Sequence, residues 1–180
     1  MKIEIVDYDD NWSESFKELK HKIWPLVSEY SLSMEHVGST SVKGLSAKPI
    51  IDIDIIIKNT TNFEVIINIL EKLGYEFMGD LGIEGRYAFK CIKPVVRHNL
   101  YVCLMNCTAL INHLTLRDHL RINANDRKLY SNLKKELSHK FQNDIDGYVD
   151  GKTDFILSIL KKNEMNNDAL KSIERSNKIN

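Results

Sequence analysis

Gly38-Ser39, a twelve-residue spacer and then Asp52-Ile53-Asp54 inside a run of isoleucines are the residues of this chain whose types and spacing best suit chemistry. The run from Ile50 to Ile57 is too rich in β-branched residues and too short for a good helix, which predicts a strand. Side chains alternate along a strand, so Asp52 and Asp54 share a face with Ile50 and Ile56, while Ile51, Ile53, Ile55 and Ile57 line the other. A strand apolar on both faces belongs in the middle of a sheet, covered on both sides. Two carboxylates on it, roughly 6–7 Å apart, repel each other and resist desolvation. A divalent cation offsets both costs, and hard Mg²⁺ takes one or two carboxylates together with phosphates and water. The competing reading puts both aspartates at a solvent-facing strand end that needs no metal.

The residues around this pair suit a phosphate. Glycine lets backbone approach a ligand closely, and a helix start after it presents free N–H groups and a positive dipole. Ser39, Thr40 and Ser41 supply hydroxyls for a cap or a phosphate contact, although Gly-Ser-Thr-Ser is also an ordinary turn composition. Lys48, just before the predicted strand, could neutralise phosphate or pair with the aspartates. His113, Arg117 and Arg121 are four apart and share a helix face, as do Tyr148 and Lys152. Two arginines at that spacing suit bidentate phosphate contacts, or else a solvated face. Arg86 and Arg97 fall on predicted strands, where each needs an anion; a salt bridge to Asp52 or Asp54 competes with nucleotide binding there. His36 and His98 flank the same region and read first as structural histidines. Trp12 and Trp24 read as core.

The string His36-Val37-Gly38-Ser39-Thr40-Ser41-Val42-Lys43-Gly44-Leu45, followed by Ala47-Lys48-Pro49-Ile50-Ile51-Asp52-Ile53, resembles the GrpB family within the DNA polymerase beta-type nucleotidyltransferase superfamily. The likeness continues at Arg97-His98-Asn99-Leu100-Tyr101-Val102, at Leu116-Arg117-Asp118-His119-Leu120-Arg121, and at Tyr148 with Lys152 ahead of Phe155-Ile156. The resemblance implies nucleotide chemistry. Asp52 and Asp54 would be catalytic and hold Mg²⁺. Gly38, Ser39, Thr40, Lys48, Arg86, Arg97, Arg117, Arg121 and Lys152 would contact a nucleoside triphosphate. Two positions depart from the family pattern. Lys43 stands where the family usually has proline, and Asn99-Leu100-Tyr101-Val102 stands where it reads His-Leu-His-Val. Active members of the superfamily place a third carboxylate on a neighbouring strand, yet no Asp or Glu occurs between Arg86 and Asn106. The expected function is therefore Mg-dependent transfer of a nucleoside monophosphate to a small-molecule or protein acceptor. Its alternative is a nucleotide-binding or interaction protein that keeps the fold without turnover.

Bulk properties narrow the partners. The 180 residues, 43% of them hydrophobic, suffice for a domain with a substantial core. Acidic and basic residues number 25 each, so no global field draws the chain to nucleic acid or an anionic membrane. With no secretory-type leader and no apolar run of membrane length, a soluble cytoplasmic protein is expected. Cys91, Cys103 and Cys107 match no standard zinc spacing and read as reduced thiols.

The elements that must position these residues follow from periodicity. Strands are expected at Lys2 to Val6, Met34 to Val37, Ile50 to Ile57, Tyr75 to Met78, Arg86 to Ile92 and Val96 to Leu104. Helices are expected after the Asp9-Asp10-Asn11 cap, with a kink or break at Pro25, and from Phe63 to a stop at Gly74. From Thr108 the chain turns helical, with apolar stripes at Leu129, Tyr130, Leu133, Leu137 and Phe141 and at Phe155, Ile156, Ile159 and Leu160. The expected fold is α+β: a minimal nucleotidyltransferase core with a mixed β-sheet, then a C-terminal helical region. Residues 1–162 would form this domain, the sheet core about 1–106 and the helices about 107–162. The polar segment 163–180 would be a frayed helix or disordered.

Overall fold

The isoleucine run lies at the centre of the molecule. In the computed structural model, which describes residues 2–178, strand β2 (Ile51–Ile57) pairs antiparallel with β1 (Ser33–Val37) and parallel with β5 (His98–Leu104). β5 pairs antiparallel with β4 (Arg86–Cys91), and β4 with β3 (Tyr75–Phe77), giving the order β1-β2-β5-β4-β3.

Alternation sorts the two faces of this sheet. Ile51, Ile53, Ile55 and Ile57 join Leu100 and Val102 in the main core, beneath helices α1 (Asn11–Val27) and α2 (Phe63–Lys72). The opposite face carries Asp52, Asp54 and Ile56 on β2, with Asn99, Tyr101 and Cys103 in register on β5. Helices α3 (Thr108–Ile122), α4 (Ala124–Lys140), α5 (Ile145–Lys162) and α6 (Asn167–Asn177) form the helical part of the fold. A second core binds them together through Leu120, Tyr130, Ile156, Ile159 and Ile173, and it takes in Val42 and Leu45 from the loop after the Gly-Ser turn.

Several boundaries differ from those read in the sequence. Residues 2–6 form no strand; Val6 makes one antiparallel bridge to Ala47. Their alternation serves another purpose: Ile3 docks on Leu137 and Tyr148, and its N–H reaches the carbonyl of Gln142 at 2.7 Å. Pro25 does not break α1, because it sits in the last turn; the helix runs to Val27 and tightens into a 3-10 turn at Ser28–Tyr30. The stretch after Asn163 contains α6, capped by Asn166, whose side chain accepts the N–H of Ala169 at 2.8 Å. Ile173 and Leu170 anchor that helix to the second core despite its polar composition. The last two residues of this segment, 179 and 180, lie outside the described residues, as does residue 1.

His36 ties β1 to the turn that follows it. Its ring stacks on Phe16 at 4.7 Å, and Nε2 lies 3.0 Å from Thr40 Oγ1, which donates to the carbonyl of Ile50 at 3.3 Å. Burial, with the charges of Arg121 and Arg117 beside it, lowers its pKa from 6.5 to about 4. The unfolded chain takes up this proton near pH 6.5 while the folded chain refuses it until about 4. Stability should therefore fall as the pH drops through that window. Urea unfolding between pH 7 and 4.5 should show the loss, and His36→Gln should flatten it. An unchanged pH slope in the variant would assign the loss to other groups.

Candidate functional site

Gly38 ends β1 with φ +68°, a left-handed conformation that favours glycine. Space demands glycine as well: a Cβ built there would lie 2.2 Å from Asp52 Oδ2. The Gly-Ser turn and the first aspartate are thus in van der Waals contact. The chain then enters a short 3-10 turn, Ser39–Ser41, closed by the Ser41 hydroxyl donating to the Gly38 carbonyl at 2.6 Å.

Strand register delivers the rest. Val37 and Asn99 flank Asp52, and Glu35 and Tyr101 flank Asp54. Asn99 Nδ2 donates to Asp52 Oδ1 at 2.7 Å. Burial pushes the Asp52 carboxyl above its usual range, and the Asn99 hydrogen bond and the His113 charge oppose that rise. Asp54 is fully buried; His113 Nδ1 binds its Oδ2 at 2.7 Å, while Oδ1 has no partner. Burial works against protonation of His113, but the Asp54 carboxylate outweighs it and the pKa ends above the ordinary value.

Opposite the carboxylates stand three lysines. Lys134 is 2% exposed and donates from Nζ to Ser39 Oγ at 2.8 Å. Lys48 and Lys152 place their ammonium groups 5.4 and 5.1 Å from the ring of buried Tyr148, and Lys134 lies 4.6 Å from that of Tyr130. Burial depresses all three. Lys134 falls well below the ordinary value, aided by repulsion from Lys152. Lys152 falls to about 8, with Lys48 adding to burial and Asp52 opposing. Lys48 falls as well, with Asp52 again opposing and Arg97 adding to the fall. A cavity of about 220 Å³ opens among Ser39, Lys48, Asp52, Asn99, Lys134 and Lys152. A second, also about 220 Å³, lies beyond Gly38 and Asp52 and reaches His113, Arg117 and Lys152.

The structure brings Gly38, Ser39, Lys48, Asp52 and Lys152 around these cavities and sets Asp54 behind them. Thr40 reaches the first cavity, yet its hydroxyl is spent on His36 and the Ile50 carbonyl. His113, Arg117 and Arg121 do face the sheet and the Gly-Ser turn together, but they clamp protein groups. Arg117 binds Glu35 at 2.9 Å, Asp118 at 2.8 Å and the His36 carbonyl at 3.2 Å; Arg121 binds the Ser41 carbonyl at 3.0 and 3.2 Å. Arg97 is exposed at the start of β5, where its carbonyl accepts the Ile51 N–H at 3.0 Å. Arg86 stands apart, with its guanidinium 4.5 Å from the Tyr101 ring; among the described residues no ion pair joins it to either aspartate. Lys134 escaped the sequence reading. It lies on the apolar stripe of α4, four residues from Tyr130 and three from Leu137, and a lysine on that stripe was the available signal.

Among the described residues no group of three or more His, Cys, Asp or Glu side chains is arranged to hold a metal ion. Asp52 and Asp54 are the carboxylates that could hold a hard cation, and the buried Oδ1 of Asp54 fits that use because nothing else satisfies it.

Comparison with known proteins places this arrangement. Residues 2–162 match the family described as GrpB protein. The chain belongs to the GrpB family. It is 34% identical over 160 residues to a UPF0157 protein of Streptomyces coelicolor, covering 88% of this chain and 83% of that one. It is 31% identical over 166 residues to the glutamate-rich protein GrpB of Alkalihalophilus pseudofirmus, covering 89% and 94%. The crystal structure of conserved protein GrpB from Enterococcus faecalis superposes with a TM-score of 0.78 at 33% identity, over 94% of this chain and 98% of that one. More distantly, the GrpB chain shares its fold with Cid1 in complex with the UTP analogue UMPNPP, at a TM-score of 0.56 and 16% identity over 87% of this chain and 50% of that one. The fold is thus α+β of the nucleotidyltransferase type.

Gly38→Ala tests the contact on which the site is built. It forces a side chain into the Asp52 carboxylate and a residue with a Cβ into positive φ, and should cost about 2–4 kcal/mol in urea unfolding. A loss below about 0.5 kcal/mol, the size of an ordinary surface change, would mean that the turn and Asp52 move apart freely.

Proposed function

We propose that this GrpB-family chain binds a nucleoside triphosphate with Mg²⁺ in the crevice between the Gly-Ser turn and β2, and transfers the nucleoside monophosphate to a hydroxyl of a small-molecule or protein acceptor, breaking the α–β phosphoanhydride bond and releasing pyrophosphate. The observation that carries this reading is the convergence of Gly38-Ser39, Asp52, Asp54, the buried Lys134 and the half-buried Lys48 and Lys152. Three cations with depressed pKa values share the cavity with one carboxylate, Asp52, and form a site whose charge is completed by phosphate. The fold relative Cid1 has been seen with MgATP and with MgGTP, which supports the same ligand class here.

Each residue has a role under this reading. Gly38 lets the ligand approach the backbone, and Ser39, held by Lys134, offers a hydroxyl beside it. Lys48, Lys134 and Lys152 neutralise the polyphosphate and regain their full charge as it enters. Asp52 and Asp54 would hold the metal, which when bound supplies Lewis-acid polarisation of the phosphoryl group. Zero net charge argues against a nucleic-acid acceptor. Among the described residues no helix is long and apolar enough to cross a membrane.

A thermal-shift titration with ATP, GTP, CTP and UTP, each with and without Mg²⁺, tests the site. A ligand at one hundred times its dissociation constant should stabilise the chain by about 2.7 kcal/mol, a shift of several degrees. The Mg-dependent part should vanish in Asp52→Asn/Asp54→Asn. No shift with any nucleotide would sink the reading.

A second reading, binding without turnover, is favoured by Asn99. It stands beside Asp52 on the neighbouring strand and occupies Oδ1 with a hydrogen bond instead of offering a carboxylate. Asn99→Asp separates the two readings. If the parent transfers label from α-labelled nucleotide, the first holds. A silent parent that gains turnover in Asn99→Asp establishes a binding site that has lost its third acid.

A further inference from the structure

We infer that the large cavity beyond Asp54 and His113 binds a small hydroxylated acid, the second substrate of the proposed reaction. The acceptor role rests on the nucleotide reading above; the binding of the acid does not.

The cavity has a volume of about 790 Å³, within the range of small-molecule pockets. It opens at the carboxyl ends of β2 and β5, where Lys58 and Met105 line it. Among the described residues β2 and β5 are the one parallel pair in the sheet, and the carboxyl ends of parallel strands are where α/β sheets gather ligands. The glycine-bounded loop Gly82–Gly85 closes one side, and Ser172 and Ser176 of α6 close another.

Two of its lining side chains each carry a buried polar atom without a hydrogen bond. Arg86 Nε is buried without a hydrogen bond, and the guanidinium faces the Tyr101 ring with no carboxylate paired to it among the described residues. Asn112 Oδ1 is likewise buried and unpartnered. A buried guanidinium N–H calls for an anionic oxygen, and a buried amide oxygen calls for an O–H or N–H donor. An acid bearing a hydroxyl supplies both. The charged lining agrees, since Lys58 and Arg86 face one carboxylate, the exposed Glu84.

The cavity also adjoins the crevice. Asn112, His113 and Asn177 line both this space and the pocket that contains Gly38, Ser39 and Asp52. An acid anchored on Arg86 would therefore present its hydroxyl toward Asp54 and His113, on the side away from the lysines.

A reporter is already built in. Cys107 lines the cavity at the N-cap of α3, where it accepts the Leu110 N–H at 3.5 Å. A hydrogen bond from buried Cys103 lowers its pKa to about 6, which favours the thiolate that alkylating reagents attack.

The full chain, without nucleotide or metal, is treated with iodoacetamide in the presence of ribose 5-phosphate or of gluconate, and the modified peptides are counted by mass spectrometry. One acid should slow alkylation of Cys107 saturably and spare the rate at Cys91. Which acid protects decides between a phosphate and a carboxylate head. Arg86→Gln, with folding checked by circular dichroism, should weaken that protection about tenfold. Asn112→Leu provides the same test should the arginine variant fail to fold. Lys152→Met, on the crevice side, should leave protection unchanged. Protection by neither acid, full protection in Arg86→Gln, or its loss in Lys152→Met would overturn the proposal. Acid binding without any Mg-nucleotide shift would overturn the acceptor role and the nucleotide reading while leaving the site. A nucleotide shift without acid binding would overturn this site alone.

Discussion

Charge on the covered face of a central strand is the constraint on which the rest of this structure depends. β2 carries Asp52 and Asp54 on the side packed against the helical layer, and Asp54 is entirely removed from solvent. A carboxylate so placed must be compensated or it protonates. Asn99 answers one oxygen of Asp52, and His113 answers one oxygen of Asp54. The orientation of α3 follows from the same need. His113 fixes the helix to β2, and one turn on Arg117 fixes it to Glu35 on β1.

The lysines obey the same rule with the sign reversed. Lys134 is buried and satisfied by a neutral hydroxyl and an aromatic face, neither of which cancels its charge. Such a group adds little to folding stability when nothing balances it. Its hydrogen bond to Ser39 holds it against the Gly-Ser turn instead. Glycine and serine of the turn, aspartate of β2 and lysine of α4 therefore behave as one unit.

Much of this layout was legible in the residues. Eight isoleucine-rich positions read as a strand covered on both faces, and period two then put both aspartates on one face. The Gly-Ser turn and the Asp-x-Asp strand were legible as one motif, and the structure adds that Gly38 touches Asp52. What stayed hidden depended on distant partners. Arg117 was readable as a cation on a helix face, but its commitment to Glu35, 82 residues away, was not. Lys134 stands on an apolar helix stripe, but its partner Ser39 lies 95 residues away and nothing local names it. Lys2 to Val6 has the alternation of a strand, yet alternation cannot say whether a sheet edge or a helical layer will receive it. The polar tail concealed α6 because Leu170 and Ile173 suffice to seat a short helix on an existing core.

The parallel pairing of β2 with β5 has a consequence for how this site comes into being. Parallel neighbours cannot be joined by a hairpin, so the chain must first travel through α2, β3 and β4 before β5 returns beside β2. The contacts that define the site span 47 residues for Asn99 with Asp52, 59 for His113 with Asp54 and 95 for Lys134 with Ser39. Each closes a longer loop than the last, and loop closure is an entropic cost met before the contact rewards it. The β1–β2 ribbon with its glycine turn can form early, but the aspartates remain hydrated and the lysine distant until the C-terminal helices dock. Completion of the crevice is therefore a late event in folding, and a partly assembled chain carries the signature residues without their electrostatic environment.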